Sequence, residues 1–129
     1  MRSRKYILIA LACAVMALGW YWWTYISYSG EVSRFEARVR QSVNPDQLQE
    51  WAVNFLQTDS SSDIHVFPAY IESLSGRHHW GVVCPRTYVS IFWGGGLGGH
   101  WGLHIGSTNF VESGHKIWRP GIYFWRDNE

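Results

Sequence analysis

His100 and His104 stand four residues apart in the run FWGGGLGGHWGLHIG, Phe92 to Gly106, which also holds seven glycines and two tryptophans. Imidazoles carry protons near neutral pH and are the commonest transition-metal ligands. On a helix, this spacing places two rings over one ion. Here Gly98, Gly99 and Gly102 oppose a helix, and the glutamate of an HExxH zinc motif is lacking. In a strand, residues 100, 102 and 104 share one face, and Trp101, Leu103 and Ile105 share the other. The two rings then stand about 13 Å apart, too far for one zinc ion with bonds of about 2 Å. Each histidine needs other partners. Gly102 leaves an open floor between them, suited to a flat ligand or to a large ring such as Trp93.

Cys84, His79 and His115 are the further side chains that complete a zinc site with His100 and His104, although no spacing among them is diagnostic. Cys84 with either histidine is also the makings of a thiol nucleophile, but nothing local depresses its pKa. Glu112 and Asp127 form a pair only if the fold joins them. GGGLGG lacks the signatures of a nucleotide loop, and no helix follows it. It reads either as a backbone nest for an anion or as a hairpin loop, and the hairpin is favoured. Trp93, Trp101 and Arg119, the last beside Trp118, are the candidate recognition residues for a glycan, a peptide or a membrane surface. Packing in the core or at an edge is the alternative role for each.

These groups need a scaffold. After the basic opening MRSRK, residues Tyr6 to Tyr28 carry no charge for 23 positions, which as a helix spans about 35 Å. Arg2, Arg4 and Lys5 before it keep the N-terminus cytoplasmic, and Trp20 to Tyr28 supply an interfacial aromatic belt. The expected organisation is therefore a tip and membrane anchor, 1–28, followed by a small extracytoplasmic domain, 29–129. The minor alternative is a signal peptide cleaved near Ala17-Leu18-Gly19, giving a secreted chain that begins WYWW. Cys13 falls inside the span and Cys84 outside it, so no bridge joins them, and Cys84 is expected to be buried.

Val32, Phe35 and Val39 recur at helical spacing, with Glu36 and Arg40 as an outward i,i+4 pair. NPDQ, Asn44 to Gln47, is a helix start: a capping Asn, a Pro at the first turn, and Leu48, Trp51, Ala52, Phe55 and Leu56 behind it. Pro68 opens a short turn carrying Tyr70, Ile71 and Leu74. From Trp80 the runs WGVV, TYVSIFW, HWGLHIG and GIYFW are rich in β-branched and aromatic residues and are separated by glycine and proline. The fold class is α+β: one N-terminal transmembrane helix, one or two amphipathic helices, then a small antiparallel sheet of three or four strands in a meander.

Residues 29–129 hold eight Lys/Arg and ten Asp/Glu, a charge near −2 that excludes a polyanion footprint and hence nucleic acid. The sequence favours a non-catalytic binding or structural module at the membrane of the cell envelope. It would meet an envelope protein or glycan through its Gly/His/Trp sheet surface. No cofactor is expected on that reading. The alternative is a metal-dependent hydrolase using His100, His104 and neighbouring groups, with zinc as the ion.

Overall fold

The computed structural model describes residues 2–58, 68–75, 80–94 and 99–127. It is an α+β fold of three helices and one five-stranded antiparallel sheet. Helix α1, Arg2–Ser42, is continuous through the charge-free run and beyond it. It is long and apolar enough to cross a membrane, and the apolar window is wholly unburied within the chain. Its last turns change character. Tyr28, Val32, Phe35 and Val39 form a stripe at three- and four-residue intervals, and all four are buried against the sheet. The apolar run and the first core helix are thus the same helix, with no linker between them.

Helix α2, Pro45–Gln57, starts as the local chemistry requires. The Asn44 Oδ1 accepts from the amides of Asp46 at 2.9 Å and Gln47 at 3.4 Å, and Pro45 takes a position whose N–H would have no helical partner. Leu48 and Ala52 are buried, and Trp51, Phe55 and Leu56 pack half-buried beside them. Helix α3, Ala69–Ser75, buries Ile71 and Leu74.

The strands are β1 Trp80–Val83, β2 Tyr88–Gly94, β3 His100–Gly106, β4 Lys116–Arg119 and β5 Ile122–Arg126. One more strand forms than the runs predict, because Lys116–Arg119 pairs with the GIYFW run through a Pro120-Gly121 turn. Gly121 sits at φ +86°, the left-handed conformation that the turn's third residue needs. The order β1-β2-β3-β5-β4 also departs from a meander: β5 inserts between β3 and β4. The chain leaving β3 must therefore cross β5 before it can form the edge strand.

Register divides the sheet cleanly. Val89 pairs with Ile105, Ile91 with Leu103 and Trp93 with Trp101, all facing the helices. The opposite face carries Tyr88, Ser90, Phe92, His100, Gly102, His104, Tyr123 and Trp125. Phe35 anchors the helical side, its ring 4.6 Å from Trp93 and 6.5 Å from Phe124. The expected Glu36–Arg40 pair is replaced by contacts to the sheet. Glu36 bonds Lys116, and the Arg40 guanidinium lies 5.0 Å from the Phe124 ring centre.

One buried polar residue ties the layers together. Gln49 of α2 donates through Nε2 to the carbonyls of Gly106, at 2.9 Å, and Pro120, at 3.0 Å. Those carbonyls end β3 and begin the β4–β5 turn. Gln49→Ala is expected to destabilise the fold by about 1–3 kcal/mol, because both acceptors lose their buried donor. Chemical denaturation of the full chain in detergent measures this, and an unchanged midpoint would show that water replaces the amide at no cost.

Candidate metal centre

The crossing connection, residues 107–115, assembles the site. It turns after β3, with the Phe110 amide bonding the Ser107 carbonyl at 2.9 Å. The Tyr123 hydroxyl then donates to the Phe110 carbonyl at 3.2 Å, which fixes the connection on the helix-free face. Phe110 stacks on Tyr88, with ring centres 4.9 Å apart. These contacts deliver Glu112 and His115 onto His104.

His104 Nδ1 and Glu112 Oε2 are 2.5 Å apart, and the other Glu112 oxygen is 3.5 Å from His115 Nε2. The three side chains are 11%, 20% and 22% exposed in the order His104, Glu112, His115, so they are shielded but not sealed. One ligand atom from each lies within 4.8 Å of the others. A tetrahedral zinc ion with bonds of about 2.1 Å holds its ligand atoms about 3.4 Å apart. His104, Glu112 and His115 would be the residues to hold such an ion, the 2.5 Å His104–Glu112 contact being shorter than that spacing. His115 Nδ1 is buried and has no hydrogen-bond partner among the described residues, as is Trp125 Nε1 beside the site. A buried polar atom left this way calls for a ligand or a water. His104, Glu112 and His115 can hold a metal ion such as zinc.

Aromatic rings frame the cluster. Trp125 stacks on His104 at 5.2 Å and 29°, Tyr88 lies 4.7 Å away, and His115 meets His104 edge-on at 5.4 Å. Burial among them pushes the His104 pKa below its ordinary value, against the opposing pull of the Glu112 carboxylate. The sign follows directly. The unfolded chain binds the His104 proton at higher pH than the folded chain does. Metal-free protein should therefore keep its full stability above about pH 6.5 and lose part of it as pH falls below that value. Melting temperatures in chelator at about pH 7.5 and 5.5 check this; the drop should shrink in His104→Gln, and a rise on acidification would contradict it.

The other sequence candidates lie elsewhere. His100 is on the same face as His104 but engages Asp127, through Nδ1 and Oδ2 at 2.9 Å, so the two histidines have different carboxylate partners. Glu112 and Asp127 accordingly do not act as a pair. Gly102 between the histidines is buried and not an open floor: a Cβ there would collide with the Ile91 carbonyl, because β2 approaches closely. Trp93 and Trp101 face the helices, 1% and 4% exposed. Arg119 pairs with Asp46 at 2.6 Å, joining β4 to the start of α2. Cys84 is exposed, not buried, because it follows the half-covered edge strand β1. It takes no part in the cluster. His79 and most of the GGGLGG loop lie outside the described residues.

Glu112 is the member of the cluster to which the sequence alone assigns no metal-binding role. Its signal was present in VESGHK, where Glu112 and His115 sit three residues apart around Gly114, at φ +89°. Only the position of His104 beneath that turn gives the pair a third member. Searches of protein-family models, of curated proteins and of solved structures find no match for the chain.

Proposed function

We propose that this protein is a membrane-tethered domain that binds a divalent transition metal of the zinc class through His104, Glu112 and His115. The observation that carries the reading is the convergence of two imidazoles and a carboxylate from β3 and the 107–115 connection, with one ligand atom of each within 4.8 Å of the others. Two histidines and one glutamate are a ligand set of catalytic zinc, which keeps a fourth position for water. The chemistry such an ion supplies is a hydroxide-like nucleophile at neutral pH, so hydrolysis is the reaction class that suits the site. Glu112 and the two rings would position the ion, while Trp125, Tyr88 and Phe110 would limit the surrounding water.

The tether is part of the proposal. Trp20, Tyr21, Trp22, Trp23, Tyr25 and Ile26 are each at least 55% exposed on α1. Such a surface in water is an aggregation site, whereas in a bilayer and its interface it is solvated by lipid. That favours an uncleaved anchor over a secreted chain, with the basic tip on the cytoplasmic side and the sheet outside. A second reading, a non-catalytic binding module, draws on Val83, Val111 and Ile117, which leave apolar side chains exposed on the helix-free side.

The test is metal analysis of the untagged full chain in detergent, after loading with zinc and removal of the excess. About one zinc per chain, and a melting temperature that a chelator lowers, are expected. No retained metal together with an unchanged melt would remove the metal reading and leave the binding module.

A further inference from the structure

On the reading that His104, Glu112 and His115 hold a zinc-class ion, we infer that the substrate is an uncharged carboxylic ester or amide with an apolar group beside the scissile bond. Outside the helices, the described residues contain four Lys or Arg side chains: Arg86, Lys116, Arg119 and Arg126. All four lie on the helix side of the sheet. Arg86 lines a recess with Phe55 and Thr58 at the end of α2. Lys116 bonds Glu36 of α1, and Arg119 bonds Asp46 of α2. Arg126 lines a recess with Val32 and Ser33 of α1. The cluster is on the opposite face, and the 107–115 connection brings no Lys or Arg to it. Enzymes that act on phosphoryl groups clamp the anionic oxygens with Arg, Lys or paired metal ions. One divalent ion with a carboxylate among its ligands lacks that clamp. An ester or amide carbonyl needs no clamp in the ground state, because its oxygen is neutral and a single ion polarises it.

The surroundings of the cluster are apolar instead. Val111, next to Glu112, is 80% exposed, and Ile117, two residues after His115, is 55% exposed. Ile117 pairs with Tyr123, and Tyr123 with His104. Ile117 therefore stands in the same cross-sheet row as His104, two strands and about 10 Å away. Tyr88, Phe110 and Trp125 add half-buried rings. Apolar walls around a few convergent polar groups are the usual form of a small-molecule site. In the hydrolysis, the water oxygen bonds to the acyl carbon and the bond to the leaving oxygen or nitrogen breaks. That leaving atom takes a proton from the water, so no further co-reactant is needed.

The experiment loads the full chain in detergent with cobalt, whose visible spectrum reports the ligands at the ion, and titrates benzohydroxamate, acetohydroxamate and phenyl phosphate. Benzohydroxamate should bind about tenfold more tightly than either of the others. In the Val111→Ser/Ile117→Ser double variant its advantage over acetohydroxamate should vanish, while acetohydroxamate binds as before and so shows the site intact. Survival of the advantage in that variant overturns the inference. Equal binding of the two hydroxamates to the unaltered chain does so even if the variant misfolds, and so does phenyl phosphate binding as tightly as benzohydroxamate. The zinc-loaded chain should also hydrolyse para-nitrophenyl butyrate and leave para-nitrophenyl phosphate intact; the opposite order, or hydrolysis of neither, sinks the proposal. A chain that retains no cobalt defeats the metal reading itself, whereas retained cobalt with the wrong preference defeats only the substrate class.

Discussion

Glu112→Gln should lower zinc affinity by more than about 100-fold, since changes in groups that merely orient a ligand already cost about 10–100-fold. The substitution is isosteric. It keeps a polar partner for His104 and removes the negative charge, so the loss reports on coordination more than on folding. His115→Ala should lose a comparable amount. His100→Ala should lose little, because His100 belongs to Asp127 at the other end of the strand. Competition with a fluorescent zinc indicator, alongside circular dichroism to confirm the fold, measures all three. A loss of only about 10–100-fold would mean that the carboxylate orients His104 and binds no ion, and equal affinity would mean that it does neither.

The second large effect concerns the joint between the last turns of α1 and the sheet. Phe35→Ala should destabilise the domain by about 3–5 kcal/mol, the range for emptying a buried aromatic site. Phe35 is 1% exposed and lies between Trp93 and Phe124, with Val32 and Val39 on the same stripe. A domain this size has a total stability of about 5–15 kcal/mol, so the variant should be partly unfolded at physiological temperature. Urea unfolding of the full chain in micelles, followed by tryptophan emission, gives the value. A cost below about 1 kcal/mol would show that the last turns of α1 lie on the sheet without being part of its core.

Much of the scaffold was written locally. A run of 23 uncharged residues behind Arg2, Arg4 and Lys5 marks a helix fit for a bilayer, whatever follows it. Asn44 and Pro45 start α2 with atoms within three residues of one another. Alternation in HWGLHIG put Trp101, Leu103 and Ile105 on one face and the histidines on the other, and the register has them so. It also kept His100 and His104 off a common ion, because the strand repeat alone sets their separation. Each of these features is decided by neighbours along the chain, so a short window of sequence contains its cause.

The rest depended on comparing alternatives distant in sequence. Glu36 and Arg40 satisfy the helix rule for an ion pair, yet Lys116 and the Phe124 ring compete for them and win. Cys84 has the side chain of a buried residue, but the edge position of β1 leaves it in solvent. Strand order matters most. No local signal says that β5 inserts between β3 and β4, since a plain meander satisfies the same alternation. Insertion forces residues 107–115 across the helix-free face, where Tyr123 holds Phe110 and Glu112 comes to rest on His104. The sequence by itself determined the elements and their faces, through periodicity and capping. The tertiary structure alone decided that two histidines and a glutamate meet, because that meeting rests on the relative free energies of whole strand arrangements.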